Sequence, residues 1–191
     1  MAEGSLIFIT GGVRSGKSSY AERTAARSAE KTAGKLHYIA AGKAFDSEME
    51  ARIRKHRYDR DKSGLGWTTW EKPSKLDEIS GSFGNQDIIL FDCLTTLLNN
   101  EFFGGEDVWQ TREFQQNLSN EILSSVVEIR KKCSCLIIVS NEVLNEAIGE
   151  NELVFTYAKI LGKLHREIVK LADEAFLVEA GIPIQMKGDP A

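Results

Sequence analysis

The chain of 191 residues has only three cysteines, no long uninterrupted apolar run, no excess of positive charge and no internal repeat. Each shortage excludes a class of protein. Three cysteines are an odd number, and with no secretory leader at the start they predict free thiols in a reducing cytoplasm rather than a disulfide scaffold. Cys133 and Cys135 have no second Cys or His pair at zinc-site spacing, so they read as small buried side chains at a helix-to-strand junction. No run approaches the 18 or more apolar residues of a membrane span. Net charge is −4, which argues against a diffuse basic surface for nucleic acid. Without repeats, low-complexity tracts or linkers, residues 1–191 read as one domain, long enough to bury a core without staples.

The strongest positive signal is local. "SLIFIT" (5–10) runs straight into "GGVRSGKSSY" (11–20), and Gly11, four residues, Gly16, Lys17, Ser18 match the phosphate-cradling P-loop. An apolar strand before the glycines and a helical pattern from Lys17 to about Ala29 supply the strand-to-helix setting that the motif requires. Gly11, Gly12 and Gly16 are expected to let successive N–H groups converge, and the helix N-terminus adds partial positive charge. Lys17 then neutralises the β and γ phosphates of GTP or ATP, and Ser18 ligates Mg²⁺.

Further along, "LHYIAAG" (36–42), "DIILFDC" (87–93) and "CLIIVS" (135–140) are apolar without alternation, as strands buried on both faces are. Leu118, Ile122, Val126, Ile129 and Cys133 mark an amphipathic helix, and Leu153, Tyr157, Ile160, Leu164, Ile168 and Leu171 a second. "EAFLVEAG" and "PIQMKG" close the chain as two strands around a Gly-Ile-Pro break, with Pro183 placing the last at an edge. Strands alternating with helices predict an α/β fold of the P-loop NTPase kind, a mostly parallel sheet with helices on both faces and ligands at the carboxyl ends of the strands. Residues 60–86, broken by five glycines and prolines, resist regular assignment and read as a loop-rich insert: a lid, part of the substrate pocket, or a segment packed through Trp67 and Trp70.

Two more places carry chemistry. Asp92 ends the strand "IILFD", where a P-loop enzyme keeps a carboxylate for Mg²⁺; a helix N-cap is the structural alternative. "EMEARIRKHRYDR" (48–60) puts Met49, Ile53 and His56 on one helical face and surrounds His56 with Arg52, Arg54, Lys55, Arg57 and Arg60. Such positive charge disfavours the imidazolium and keeps the ring neutral and nucleophilic, while the guanidinium groups suit phosphate oxygens. A structural histidine fits the residues as well.

Together "ITGGVRSGKSSYAE", "YIAAG", "DSEMEARIRKHRYDR", "GWTTWEKP", "LFDCLTTLLNN", "VSNEV" and "ADEAFLVEAGIPIQMKG" resemble, nearly end to end, the bifunctional adenosylcobinamide kinase/adenosylcobinamide-phosphate guanylyltransferase family. The resemblance implies that His56 accepts GMP and that Lys17 serves catalysis. It also implies nucleotide contacts from Gly11, Gly12, Val13, Arg14, Ser15, Gly16, Lys17, Ser18, Ala40, Ala41, Gly42, Arg57, Tyr58, Asp59, Arg60, Glu71 and Asp92. Mg²⁺ at Ser18 and Asp92, adenosylcobinamide as corrinoid substrate, and a homotrimer follow from the same resemblance. After "VSNEV" this chain departs from the family pattern of glycines, a proline and arginines: it reads "LNEAIGENELVFTYAKI" and has no arginine until Arg166. A kinase acting alone on a related alcohol, or a GTP-dependent switch presenting residues 60–86, are the other readings that the residues allow.

Overall fold

The computed structural model describes residues 3–42, 47–104, 108–143 and 151–189; for positions 47–50, 52, 56 and 59 it describes the backbone only. The strands are β1 (Ser5–Gly11), β2 (Leu36–Ala40), β3 (Thr68–Glu71), β4 (Ile88–Asp92), β5 (Cys135–Asn141), β6 (Glu174–Glu179) and β7 (Ile182–Lys187). They form a seven-stranded sheet in the order β3-β2-β4-β5-β1-β6-β7. Pairing is parallel from β3 across to β6, and β7 closes the edge antiparallel to β6.

Because side chains alternate along a strand, each apolar run feeds two cores. One face carries Leu6, Phe8, Ile39, Ile89, Phe91, Leu136 and Ile138 and is covered by α3 (Leu94–Phe102), α4 (Arg112–Arg130) and α5 (Glu152–Leu171). The other carries Ile7, Ile9, Tyr38, Ile88, Leu90, Ile137 and Val139 beneath α1 (Lys17–Thr32). Helix α4 buries Leu118, Ile122, Val126 and Ile129 at the expected spacing, and Thr111 Oγ1 caps it by accepting the Phe114 N–H at 3.2 Å. Asn151 Oδ1 caps α5 in the same way. Among the described residues no helix is long and apolar enough to cross a membrane.

Three expectations change. Residues 60–86 are more regular than their glycines suggested. Helix α2 (Ser47–Lys62) reaches into the segment, β3 extends the sheet, and Leu76–Ser82 form a 3₁₀ helix. Four residues are too short a run to show a strand by pattern, and pairing with β2 is what orders them. The two tryptophans pack on the body, Trp70 on the α4 side and Trp67 on the α1 side. Second, α4 stops at Arg130, so Cys133 is buried in the following turn rather than on the helix; all three cysteines are buried free thiols. Third, the break between the last strands is Ala180–Gly181, with φ of 49° and 81°, the two left-handed positions of a tight hairpin turn. Pro183 lies inside β7, which tolerates it as an edge strand.

The edge opposite the strand carboxyl ends is tied by one carboxylate. Asp87 accepts the Gly84 N–H at 2.7 Å, the Lys35 N–H at 3.3 Å and the His37 ring at 3.1 Å. His37 Nδ1 accepts Trp70 Nε1–H at 3.2 Å, so a neutral Nε2–H imidazole satisfies both partners. Burial by itself would raise the Asp87 carboxyl; the Gly84 N–H, His37 and the Lys35 N–H outweigh it and hold the group below the usual carboxylate range. Its contribution to stability is therefore complete above the ordinary value of about 3.9 and lost as pH falls through the lower folded value. Asp87→Ala is expected to cost about 2–3 kcal/mol in urea unfolding at neutral pH. The deficit relative to wild type should shrink as both are titrated below pH 4.

Candidate active site

At its carboxyl end β1 delivers Gly11 into a closed turn in which Ser15 N–H donates to Gly12 O at 3.2 Å. Arg14 (φ 61°) and Gly16 (φ 92°) both take left-handed conformations, so the loop curls without needing every glycine for its dihedrals. Gly11 is required by space: a Cβ there would run into Val178 O and stand 2.7 Å from Ser15 Oγ. At Gly16 a Cβ would be 3.1 Å from Gly181 Cα, because the β6–β7 turn buttresses the loop and Gly181 N–H donates to Ser15 O at 2.8 Å. Gly12 has open space on its Cβ side.

Lys17 opens α1, is only 7% exposed, and donates from Nζ to Gly12 O at 3.0 Å, drawn back across the mouth of the loop. Ser18 follows in the first turn of α1. Ser15 Oγ is buried with no protein partner, an orphaned polar atom on the side of the loop where Gly11 faces Val178. A helix N-terminus, the Lys17 ammonium and an unsatisfied hydroxyl stand together here, the chemistry that suits an anion.

Asp92 stands two strands away, at the end of β4, on the face that carries Ile88 and Leu90 and therefore on the α1 side. Its Oδ2 accepts from Tyr38 OH at 3.0 Å. Burial first, and then the Asp92 charge, push the Tyr38 phenol well up, so it stays a neutral donor. Arg60 lies with its guanidinium carbon 3.6 Å from the Tyr38 ring centre and pairs with Glu22 at 3.4 Å. The N-cap alternative for Asp92 does not hold, because Cys93 occupies that position before α3. Cys93 is no rival nucleophile, since burial raises its thiol to about 11.

Ala40 ends β2 in register with both Asp92 and Glu71. The strand exit is pinned by Ala41 N–H on Asp92 O, by Lys72 N–H on Ala40 O, and by Asn100 Nδ2 donating to Ala41 O and Pro73 O at 2.9 Å each. Helix α2 comes down on this edge: a Cβ on Gly42 would sit 4.0 Å from Ile53 Cδ1, and Arg57 makes an ion pair with Glu71. Arg54, Lys55, Arg57 and Tyr58 are exposed, whereas Arg60 is 5% exposed and turned inward. Arg60 is thus a buried anchor between α1 and β2, unlike the exposed Arg54, Lys55 and Arg57. The side chains of His56 and Asp59 lie outside the described residues, as do residues 144–150 of the divergent segment 144–158, whose remainder caps and opens α5.

The sequence reading passed over Tyr38, Thr95, Ser140, Asn141 and Glu142. Glu142 N–H donates to Gly11 O at 2.9 Å and Asn141 pairs with Gly11 in register, so the end of β5 borders the loop directly. The available signal was the polar run Ser140-Asn141-Glu142 closing an apolar strand.

Over residues 7–186 the chain matches the model of the CobU family, described as cobinamide kinase / cobinamide phosphate guanyltransferase. The chain belongs to the CobU family. It is 32% identical over 188 residues to the bifunctional adenosylcobalamin biosynthesis protein CobU of Escherichia coli (strain K12), covering 95% of this chain and 99% of that protein. The bifunctional adenosylcobalamin biosynthesis protein CobP of Pseudomonas aeruginosa is 33% identical over 183 residues, covering 95% and 97%. Among solved structures, the flagellar accessory protein FlaH from Methanocaldococcus jannaschii aligns with a TM-score of 0.49 at 15% identity, covering 99% of this chain and 80% of that one.

For this CobU-family chain the donor set also bears on a metal. Among the described residues no group of three or more His, Cys, Asp or Glu side chains could hold an ion. A hydroxyl from Ser18 and a carboxylate from Asp92 are hard oxygen donors of the kind Mg²⁺ takes when phosphate oxygens complete its shell.

Proposed function

We propose that this chain phosphorylates the aminopropanol hydroxyl of adenosylcobinamide with a nucleoside triphosphate, and then transfers GMP from GTP to the new phosphate through a GMP–His56 intermediate. One observation carries the reading. Helix α2, which bears His56, is held by Arg57–Glu71 and by Arg60 against Tyr38 and Glu22 to the same strand-end edge that presents Lys17 and Asp92. Family membership supplies the two activities.

In the kinase step the substrate hydroxyl oxygen attacks the γ phosphorus, the bond from that phosphorus to the β–γ bridging oxygen breaks, the nucleoside diphosphate leaves and the hydroxyl proton passes to solvent. Backbone N–H groups of Val13 to Ser18 and the Lys17 ammonium position the phosphates and absorb the developing charge. Ser18 and Asp92 would hold Mg²⁺, which neutralises phosphate charge when bound. In the second step a ring nitrogen of His56 attacks the α phosphorus and pyrophosphate leaves; the substrate's phosphate oxygen then attacks that phosphorus and releases the imidazole. Cations along α2 favour the neutral, nucleophilic ring. A cytoplasmic setting suits three buried thiols, and a homotrimer is the assembly that the family resemblance supports.

The test is chemical. Protein incubated with GTP labelled at the α phosphate and then denatured should retain label that is acid-labile and alkali-stable, as a phosphoramidate is. No retained label, with GTP consumed only when cobinamide is present, would leave a kinase alone.

A further inference from the structure

Behind the phosphate cradle, on the face of the sheet turned toward α3 and α5, lies a chain of polar side chains that the proposed reaction does not use. Thr95, Ser140 and His165 are 9%, 0% and 8% exposed. Thr95 Oγ1 is 2.8 Å from Ser140 Oγ, and Ser140 Oγ is 2.8 Å from His165 Nε2. Asn141 N–H donates to Thr95 Oγ1, also at 2.8 Å. Thr10, whose hydroxyl is buried without a partner, stands beside Ser140 in register, and Phe8 meets the His165 ring edge-on. Their strand neighbours on this face, Phe8, Leu136 and Ile138, are apolar. The Thr95 and Ser140 hydroxyls and the His165 imidazole, buried here, must each find a partner.

The chain has a direction. With Nε2 of His165 as acceptor, Ser140 donates to it, Thr95 donates to Ser140, and Asn141 N–H donates to Thr95, so each hydroxyl gives one bond and takes one. Burial pushes the His165 imidazole down, with Glu142 pulling it the other way, which favours the neutral ring that this arrangement needs. The terminus of β5 is thereby held from behind.

Alternation then decides what the held terminus presents. Ser140 shares its face with Leu136 and Ile138, so Asn141 shares the opposite face with Ile137 and Val139, on the α1 side. Strand β5 runs between β1, which ends in the cradle, and β4, which ends in Asp92. Asn141 is therefore placed on the α1 side at the end of β5, in register with Gly11 of the loop and two residues past the partner of Asp92.

We propose that Asn141 recognises the terminal phosphate of the bound nucleotide, and that His165 is a positioning residue that aims it through Ser140 and Thr95. The inference rests on triphosphate binding as proposed above, and neither on GMP transfer nor on the corrinoid.

Calorimetry with Mg²⁺ and either GDP or a non-hydrolysable GTP analogue tests it on the wild type, Asn141→Ala, His165→Leu, His165→Gln and the Asn141→Ala/His165→Leu double variant. Losing a hydrogen bond to a charged phosphate should weaken analogue binding in Asn141→Ala by roughly tenfold or more. GDP binding should stay within about twofold, since it lacks the contact. His165→Leu should move the analogue-to-GDP ratio the same way. His165→Gln, which offers an acceptor in place of Nε2, should restore most of the ratio, and the double variant should bind the analogue no more weakly than Asn141→Ala. Should His165→Leu not fold, Ser140→Ala breaks the same chain with a smaller change in volume. An unchanged ratio in Asn141→Ala overturns the proposal. So does a His165→Leu loss that falls equally on both nucleotides, or that adds to the loss from Asn141→Ala. Absence of α-phosphate label on the wild type would overturn GMP transfer while leaving these ratios intact, so the two failures are distinguishable.

Discussion

His56→Ala is expected to abolish covalent labelling from α-labelled GTP and to lower GMP transfer by about 10⁴-fold, while cobinamide phosphorylation stays within a few-fold of wild type. The asymmetry follows from the two steps. Transfer through a phosphoramidate needs a ring nitrogen at the α phosphorus, and alanine offers none. Phosphorylation needs only the cradle, the lysine and the acceptor hydroxyl, with positioning and charge neutralisation doing most of the work. Parallel assays for phosphorylated cobinamide and for the GDP-linked product, on one preparation, check this. Equal loss of both products would mean that His56 serves the fold or the shared nucleotide site; retention of GMP transfer would remove it from the chemistry.

Lys17→Met should do what His56→Ala does not: lower both activities together, each by roughly 10²–10³-fold. The lysine sits 7% exposed with its ammonium against Gly12 O, so methionine keeps the stem's packing and deletes only the charge. Thermal unfolding should shift by no more than a few degrees. Lys17→Arg should not rescue, because a planar guanidinium is wider than the slot that a point ammonium occupies. Steady-state kinetics with GTP as donor in both assays decide it. Near-normal turnover in either assay would assign that step to a second nucleotide site.

The two substitutions probe parts of the molecule that were legible in the sequence to different degrees. The cradle was readable because it is local: Gly11 through Ser18 are consecutive, and the strand before them and the helix after them show in their own hydrophobic patterns. Asp92 was readable for the same reason, as the polar end of an apolar strand. The burial of Arg60 was not legible because sequence proximity to Arg57 says nothing about which way a helix turns its side chains, and its contacts with Tyr38 and Glu22 come from two other elements. Strand β3 went unseen because four residues carry too little periodicity and its order comes from β2. The chain from His165 to Asn141 was invisible because residues 95, 140 and 165 meet only once three elements have packed.

The amino-acid sequence by itself determined the alternation of strands and helices, the phosphate-binding turn, the carboxylate at the end of β4 and the basic helix, since each is written in neighbouring residues whose spacing sets a face or a turn. Only the tertiary structure decided the strand order that places β5 between the cradle and Asp92, the inward turn of Arg60, and the hydroxyl chain behind the loop. Backbone pairing and packing choose partners across tens to more than a hundred residues, and the free energy that selects them is spread over the whole core rather than held in any one segment.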